Sequence, residues 1–140
     1  MVKRKKFVSN NNASANLVIL DFIKNNLKNI NEDNIIIYLQ PTSPFRNHNH
    51  INEAIKKFLK KRTRILLSVI ENKNFFKSLY QKKNTLDPFF QNEFIAKNRQ
   101  NLKTIYSPNG AIYIFYKNDF KRYKELMFLK SGFYVMNKVD

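Results

Sequence analysis

The stretch IIIYLQPTSPFR, residues 35–46, decides the fold that we expect for this chain. Its first five residues are apolar or aromatic without polar alternation, which is typical of a β-strand buried on both faces of a sheet. Pro41 and Pro44 follow, and because proline has no backbone N–H to donate, the strand is expected to end at Leu39. The stretch therefore predicts a central strand that ends in a group of polar side chains.

The segments around this strand give an α/β pattern. Ser14 is placed to cap a helix over residues 15–27, whose apolar positions share one side. A second helix is predicted over residues 50–61, with apolar residues on one face and lysines on the other. The run ILLSVI, residues 65–70, predicts another buried strand. Strand, helix and strand in this order form a βαβ unit, so we expect the two strands to be parallel.

The second half of the chain is less regular. Residues 71–101 mix aromatic side chains with Lys and Asn, and predict a loop-and-hairpin insert that packs on a neighbour or a second subunit. Asn109-Gly110 predicts a turn before a strand over residues 111–116. A helix from residue 119 to about 128 and a short strand over 133–136 complete the pattern.

These elements predict one α/β domain over residues 1–140, with a mainly parallel sheet and flanking helices. A doubly wound sheet of this kind usually begins with a strand and a glycine-rich phosphate-binding loop. The sequence shows neither of them before residue 9, so we expect the first strand and the phosphate loop to be missing.

The composition excludes several classes of site. The chain contains no cysteine, which rules out disulfides, thiolate metal sites and cysteine nucleophiles. Its apolar runs are far too short to span a bilayer, and no signal peptide is recognised, so we expect a cytoplasmic protein without a membrane partner. His48 and His50 have no carboxylate or cysteine cluster near them in the sequence, so no metal-binding residue is predicted.

The net charge leaves two interpretations open. Lys and Arg total 26 against 10 acidic residues, giving a formal charge of +16. This excess would suit a polyanionic partner such as nucleic acid or a phosphate-bearing substrate. The lysines are scattered along the chain, however, and the abundance of Lys, Asn, Ile and Phe indicates drift in composition instead. A module that binds single-stranded nucleic acid stays an alternative, supported by the aromatic and lysine residues between 73 and 90.

The polar residues after the first strand are candidates for ligand binding, because ligands bind at the carboxyl ends of strands in open α/β sheets. Gln40 offers amide donors and an acceptor suited to a sugar hydroxyl or N-acyl group. Thr42 and Ser43 add hydroxyls, and Arg46 is suited to phosphate or carboxylate. The alternative is a proline-rich turn whose polar groups satisfy only the backbone.

Several segments resemble one known family. LQPTSPFR, residues 39–46, resembles the hallmark of the CMP-N-acylneuraminate synthetases, which are also called acylneuraminate cytidylyltransferases. PNGAIYI, residues 108–114, with the Arg-Gln pair at 99–100, resembles a second motif of that family in order and spacing. YVM at 134–136 and the serine-containing segment from residue 13 to 20 resemble two further segments. The similarity covers nearly the whole chain and predicts the C-terminal two thirds of such a synthetase.

The resemblance implies a fold and an activity. The fold would be Rossmann-like, with a smaller insert, here residues 71–101, that mediates dimerisation. The enzyme would be a nucleotidyltransferase that condenses CTP with a sialic-acid-type nonulosonic acid, as in lipopolysaccharide or capsule biosynthesis, and releases pyrophosphate. Mg²⁺ is the implied cofactor, CTP and the sugar are the implied substrates, and a homodimer is the implied assembly.

Two groups of binding residues and no catalytic residue are predicted, from the resemblance and, for Thr42, Ser43 and Arg46, from their chemistry after the first strand. The substrate-binding group is Gln40, Arg99, Asn109 and Tyr113. The nucleotide-binding group is Ser14, Thr42, Ser43 and Arg46. Arg99 is implied to reach the site of the partner subunit and to bind the substrate carboxylate.

The sequence departs from the family at the segments that are implied to bind the triphosphate and the metal ion. The basic loop A-R-x-x-S-x-x-x-x-x-K-N, which cradles the triphosphate, has no counterpart, and Asn10 to Asn12 replace an acidic residue. The metal-binding D-x-D pair, expected just after YVM, is also missing, and Asp140 is interpreted as a neighbour of that pair. Because phosphoryl-type transfer depends on such charges, we expect little or no catalysis by this chain alone. A catalytically inactive dimer partner of an intact synthetase stays an alternative.

Overall fold

The computed structural model describes residues 14–43, 46–61, 63–72, 74–126 and 130–137. Six strands are described: β1 (Ile35–Tyr38), β2 (Ile65–Glu71), β3 (Leu79–Lys82), β4 (Thr85–Pro88), β5 (Tyr106–Tyr116) and β6 (Gly132–Met136). The helices are α1 (Ala15–Asn26), α2 (His48–Lys61), α3 (Asn92–Ala96) and α4 (Lys117–Tyr123), with 3-10 turns at Phe75–Lys77 and Arg99–Asn101. The predicted α/β class is confirmed.

The main sheet is mixed, which corrects the expectation of a mainly parallel sheet. Its strand order is β1-β5-β2-β6. β5 is antiparallel to both β1 and β2, and β2 is parallel to β6. Between β2 and β5 the described chain forms a hairpin and short helical turns in place of a crossover helix, so β5 returns in the opposite direction. β1 and β2 do run in the same direction, as predicted, but β5 lies between them.

Two layers of side chains cover the two faces of this sheet. One layer packs against α1 and α4, and it contains Ile19, Ile23, Ile65, Leu67, Val69, Tyr113, Phe115, Phe120 and Leu126. The other packs against α2, and it contains Ala54, Phe58, Leu66, Ala111, Ile112, Ile114, Tyr134 and Met136. From Ile65 to Leu67 on β2 and from Ile112 to Tyr116 on β5, neighbouring residues alternate between the two layers, as side chains of a strand do, whereas Ala111 and Ile112 both lie in the α2 layer. The unbroken apolar runs of these strands therefore reflect burial on both faces.

β1 does not match the expectation that it is buried on both faces. Ile36 and Tyr38 pack against the α1 layer, but Ile35 and Ile37 are each 37% exposed. β1 stands at the edge of the described sheet, paired with β5 on one side and with no described strand on the other. The run of apolar residues therefore predicted the strand correctly but did not predict that the side chains on one of its faces are partly exposed.

The observed helix boundaries agree closely with the predicted ones, except that α4 ends earlier than predicted. α1 covers most of the predicted residues 15–27, and α2 begins two residues before the predicted position 50. α4 begins at Lys117 and ends at Tyr123, where Lys124 adopts a left-handed conformation with φ of 58°. The sequence predicted that this helix continues to about residue 128. Residues 124–126 are not helical, so this part of the prediction is wrong, and residues 127–129 lie outside the described chain.

Residues 71–101 contain a small unit beside the sheet. β3 and β4 pair as an antiparallel hairpin, and a 3-10 turn and α3 flank it. Phe75, Phe76, Phe90 and Phe94 pack on one another, with ring centroids between 5.0 and 5.8 Å apart. The predicted hairpin is therefore present, whereas its role in dimerisation stays a prediction. No helix in the described ranges is long and apolar enough to cross a membrane.

Candidate functional site

The candidate site lies at the edge of the sheet where β1, β2 and β6 end. Because β5 is antiparallel to β1 and β2, its first residues lie at this same edge. Ile70 near the end of β2 faces Ser107 on one side and Met136 on the other. Gln40 follows the end of β1, so the two sequence motifs around residues 40 and 109 meet here.

A bulge in β5 shapes this edge. Leu67 is paired with Tyr113, but Val69 is paired with Pro108, so Ser68 alone faces residues 109–112. The Ser68 hydroxyl, which is 1% exposed, accepts a hydrogen bond from Ile112 N–H at 2.8 Å. The same hydroxyl donates to Asn109 Oδ1 at 2.6 Å. One buried side chain therefore holds both ends of the bulge.

Glycine at position 110 is favoured by the backbone conformation at the top of the bulge. Its φ of 76° lies in the left-handed region, which side-chain-bearing residues adopt at a cost. A Cβ at this position would also meet the side-chain amide oxygen of Gln40, so that flexible side chain would have to move. Asn109-Gly110 was predicted as a turn before a strand, and the structure instead places it inside β5. The prediction recognised the backbone conformation but not its position within the strand.

The amide of Asn109 is held in one orientation. Its Oδ1 accepts from the Ser68 hydroxyl and from Ala111 N–H at 3.2 Å. Its Nδ2 lies 3.3 Å from the sulfur of Met136. An amide nitrogen carries two N–H donors, so one of them is left for a ligand at the strand end. Asn109 is thus prepared to donate a hydrogen bond in a fixed direction.

Arg46 ties the loop after β1 to the bulge. Its Nη1 donates to the backbone oxygens of Gln40 at 2.9 Å and Ala111 at 2.8 Å. The Gln40 oxygen also accepts from Ser43 N–H at 3.4 Å, which closes the turn that begins at Pro41. The contacts recorded for Arg46 therefore position the site, and its role in nucleotide binding stays a prediction. Arg46 and Gln40 thus both lie against the bulge that contains Asn109, while their binding roles stay predictions.

Tyr113 makes its contacts on the other face of the sheet. It lies directly opposite Tyr38 in the β1–β5 register, with ring centroids 6.0 Å apart. Both rings pack in the α1 layer, whereas Asn109 reaches Met136 of the α2 layer. Burial, and to a lesser degree Tyr38, raise the pKa of the Tyr113 hydroxyl above its usual 10.0. The structure thus records no contact between Tyr113 and Asn109 in the described chain.

The other predicted binding residues lie in separate segments of the chain. Ser14 caps α1 as expected, because its hydroxyl oxygen accepts from Leu17 N–H at 3.3 Å. Thr42 is exposed in the turn after β1, beside Ser43. Arg99 begins the second 3-10 turn, and its side chain lies outside the description. A binding role for each of these residues stays a prediction.

Ser68 is the functional position that sequence reasoning missed. It is a single polar residue within ILLSVI, and the run as a whole was interpreted as a buried strand. A hydroxyl buried in such a run needs a partner, since an unpaired buried polar group costs about 1–3 kcal/mol. The need for a buried partner could have identified Ser68 from the sequence. The partners themselves could not be identified, because they lie more than forty positions away in the chain.

The described residues do not supply a magnesium site. Within the ranges that the structure describes, no group of three or more His, Asp or Glu side chains is arranged to hold a metal ion. Mg²⁺ prefers octahedral oxygen ligation through carboxylates, substrate phosphates and water. We therefore derive no chemical step through a metal held by these residues.

Replacing Ser68 with Ala tests the bulge. We expect Ser68→Ala to destabilise the fold by about 1–3 kcal/mol, because Ile112 N–H and Asn109 Oδ1 both lose a buried partner. The measurement is urea unfolding, together with the NMR signals of the Asn109 side-chain amide, which should shift or broaden. Ser78→Ala, at an exposed serine, is the control. Unchanged Asn109 signals in Ser68→Ala would contradict the assignment.

The raised pKa of Tyr113 predicts a loss of stability in alkali. Because the neutral phenol is favoured in the folded state, its contribution is complete below pH 10.0 and declines as pH rises from there towards the folded-state pKa. Spectrophotometric titration should show one of the seven tyrosines ionising late. Tyr113→Phe should remove that late phase, and Tyr80→Phe, at a half-exposed ring, should leave it in place. A late phase that survives in Tyr113→Phe would refute the expectation.

Comparison with known proteins bears directly on these motifs. No protein-family model matches the chain. An N-acylneuraminate cytidylyltransferase of Escherichia coli O18:K1:H7 is 34% identical over 122 residues, which are 84% of this chain and 28% of that protein. One from Streptococcus agalactiae serotype III is 28% identical over 141 residues, covering 99% of this chain and 33% of that protein. One from serotype Ia of the same species gives the same values.

The chain spans about a third of the length of these curated relatives, whereas its motifs predicted two thirds of a synthetase. The similarity nevertheless extends over nearly all of the chain, and it includes the strand-end residues that the structure brings together. These observations identify the chain as a relative of the N-acylneuraminate cytidylyltransferases.

Proposed function

We propose that this chain forms the sugar-binding side of an enzyme that activates a sialic-acid-type nonulosonic acid with CTP, giving the CMP-sugar and pyrophosphate. The observation that carries the proposal is the bulge in β5, which holds Asn109 beside Gln40 at the carboxyl end of β1. The relatives are named N-acylneuraminate cytidylyltransferases, which is consistent with this chemistry.

The proposed contacts follow from the geometry of the strand ends. Gln40 offers both donors and an acceptor, which suits an N-acyl group or neighbouring hydroxyls of a sugar. Asn109 supplies a donor whose direction is fixed by Ser68 and Ala111. Groups held in this way lose little freedom when a ligand binds, which favours both affinity and orientation. Arg46 acts as a positioning residue by holding the two segments together.

The net charge supports the proposed pair of substrates. CTP and a nonulosonic acid are both anions, and a chain with a formal charge of +16 attracts both from solution. Mg²⁺ belongs to the proposal through the family resemblance, and when bound it would neutralise charge on the triphosphate. We place the reaction in the cytoplasm, where CTP is made.

We further propose that the hairpin unit mediates dimerisation, either with a second copy or with an intact synthetase. Its surface exposes four large apolar side chains: Leu79 at 49%, Tyr80 at 45%, Leu86 at 64% and Phe89 at 66%. By the strand register, Leu79 and Leu86 share one face of the hairpin, whereas Tyr80 packs with Phe89 on the other. Exposed apolar side chains of this kind are typical of an interface between proteins. Arg99 follows the same unit along the chain, so a partner bound here would have that residue nearby.

Nucleic-acid binding is less well supported by the structure. Binding a single strand by stacking needs exposed aromatic rings beside lysines. Four of the phenylalanines between residues 75 and 94 instead pack on one another, which leaves fewer rings for bases. The hairpin therefore favours a protein partner over a nucleic acid.

Binding of the sugar is the direct test of the proposed function. We expect this chain to bind N-acetylneuraminic acid or CMP-N-acetylneuraminic acid, observed by NMR as shifts of the side-chain amides of Gln40 and Asn109. Asn109→Ala should weaken binding about fivefold, the effect of one lost hydrogen bond. Asn92→Ala, at an exposed asparagine of α3, should leave binding unchanged. Absence of binding to both compounds, or an equal effect of the two variants, would overturn the proposal.

Sedimentation analysis tests the proposed dimer. We expect the wild-type chain to associate at micromolar concentrations, and the double variant Leu86→Ser with Phe89→Ser to be monomeric, because both side chains are exposed in the isolated chain. Leu59→Ser changes another exposed leucine, which lies on α2, and should not affect association. A wild-type chain that is monomeric alone and does not bind a full-length synthetase would contradict the proposal.

A further inference from the structure

A cleft lies at the opposite edge of the sheet from the candidate site. It has a volume of about 410 Å³ and is lined by residues of α1, of the connection between α1 and β1, and of α4. Glu32 lies just before β1, and Lys117 directly follows the end of β5, where Tyr116 is paired with Ile35. The cleft is therefore at the amino end of β1, whereas Gln40 is at the carboxyl end.

The charges that line this cleft are unequal. They are the four lysines 24, 28, 117 and 121, against the single acid Glu32. Lys121 lies 2.9 Å and Lys117 3.1 Å from the same Glu32 oxygen. Hydrogen bonds from Lys121, and then from Lys117, lower the pKa of Glu32, so it is ionised at neutral pH. One carboxylate thus balances one of these two ammonium groups, and the cleft keeps a net positive charge.

Lys117 is part of the structure and not free to move to a ligand. Its side chain is 2% exposed, and its ammonium donates to Ile30 O at 2.5 Å as well as contacting Glu32. A buried ammonium of this kind requires such partners. It also fixes the connection before β1 against the start of α4. The lining of the cleft therefore includes a buried positive charge that is held in place by the connection before β1.

Lys24 and Lys28 are available for a ligand. Both are exposed, and within the described part of the chain the structure records no carboxylate or hydrogen-bond partner for either ammonium. They lie beside Leu20 and Ile23, which give the cleft an apolar wall. A site that combines such a wall with a few convergent charged groups is suited to an organic ligand with a charged end.

We infer that this cleft binds a small organic phosphate, with the phosphate contacting Lys24, Lys28 and Lys121 and its organic part lying against Leu20 and Ile23. A phosphate monoester carries close to two negative charges at neutral pH, which matches the excess of lysines better than a singly charged carboxylate does. The inference does not depend on the proposed sugar site, because the two lie at opposite ends of β1.

The consequence of binding follows from the elements that line the cleft. A ligand there would contact α1, the connection that leads into β1, and α4 together. Since it binds only the folded chain, it would raise the melting temperature, and the increase would grow with the logarithm of its concentration once the site is filled. Inorganic phosphate has no organic part, so it probes the lysines alone. Hexanol has no charge, so it probes the apolar wall alone.

Titration with hexyl phosphate tests the inference. We expect the NMR methyl signals of Leu20 and Ile23 to shift, with tighter binding than for inorganic phosphate or for hexanol and a decline at high salt. Lys24→Gln and Lys28→Gln should each weaken binding by up to about fivefold, the effect of one partly exposed ion pair. Both lysines are on the surface, so these changes should leave the fold intact.

The matched control is Lys60→Gln, which removes an exposed lysine of α2 on the other face of the sheet. An equal loss of affinity in Lys60→Gln would show that net charge alone attracts the ligand and would overturn the inference. Equal binding of hexyl phosphate and hexanol would overturn it as well. Asn109→Ala should not affect this binding, so failure here and failure of the proposed sugar site are distinguishable.

Discussion

The hydrogen bonds of the buried Ser68 hydroxyl are the constraint on which the candidate site depends. β5 has extra residues opposite Ser68, and without a partner their polar groups would be left unsatisfied inside the sheet. Ser68 bonds to Ile112 and to Asn109, so the bulge is closed from its inner side. The same bonds turn the Asn109 amide towards the strand ends. Stability of the sheet and orientation of the site thus rest on one side chain.

Two further contacts make this local arrangement part of the whole fold. Arg46 joins the loop after β1 to the bulge, and Gly110 leaves room for the Gln40 side chain. At the other end of the strands, buried Lys117 joins the connection before β1 to the start of α4. Beyond one end of β1, Arg46 bonds to backbone oxygens of the following loop and of β5, and before the other end Lys117 bonds to one backbone oxygen and to Glu32. Charged groups are used here for position, which is consistent with the cost of burying them otherwise.

Much of the fold was predictable because local patterns determined it. Apolar spacing identified α1 and α2, and β-branched runs identified β1 and β2. The mixed order of the sheet was not predictable, because the direction of β5 depends on the route of residues 72–105 and not on its own sequence. The exposure of Ile35 and Ile37 was not predicted either, because the apolar character of a strand does not show which elements cover it.

By itself, the sequence determined most of the helices and strands, the absence of cysteine chemistry, and the two motifs that carry the family resemblance. It also indicated that the first strand ends before Gln40 and that Asn109-Gly110 adopts a turn-like backbone, because prolines and glycine have strong backbone preferences. Only the tertiary structure decided that these motifs meet, that Ser68 holds them, and that Tyr113 packs on the opposite face. It also gathered lysines from α1 and α4 around one cleft. The reason is physical: local propensities act within a few residues, whereas hydrogen bonds and charges in the folded chain join residues far apart in sequence.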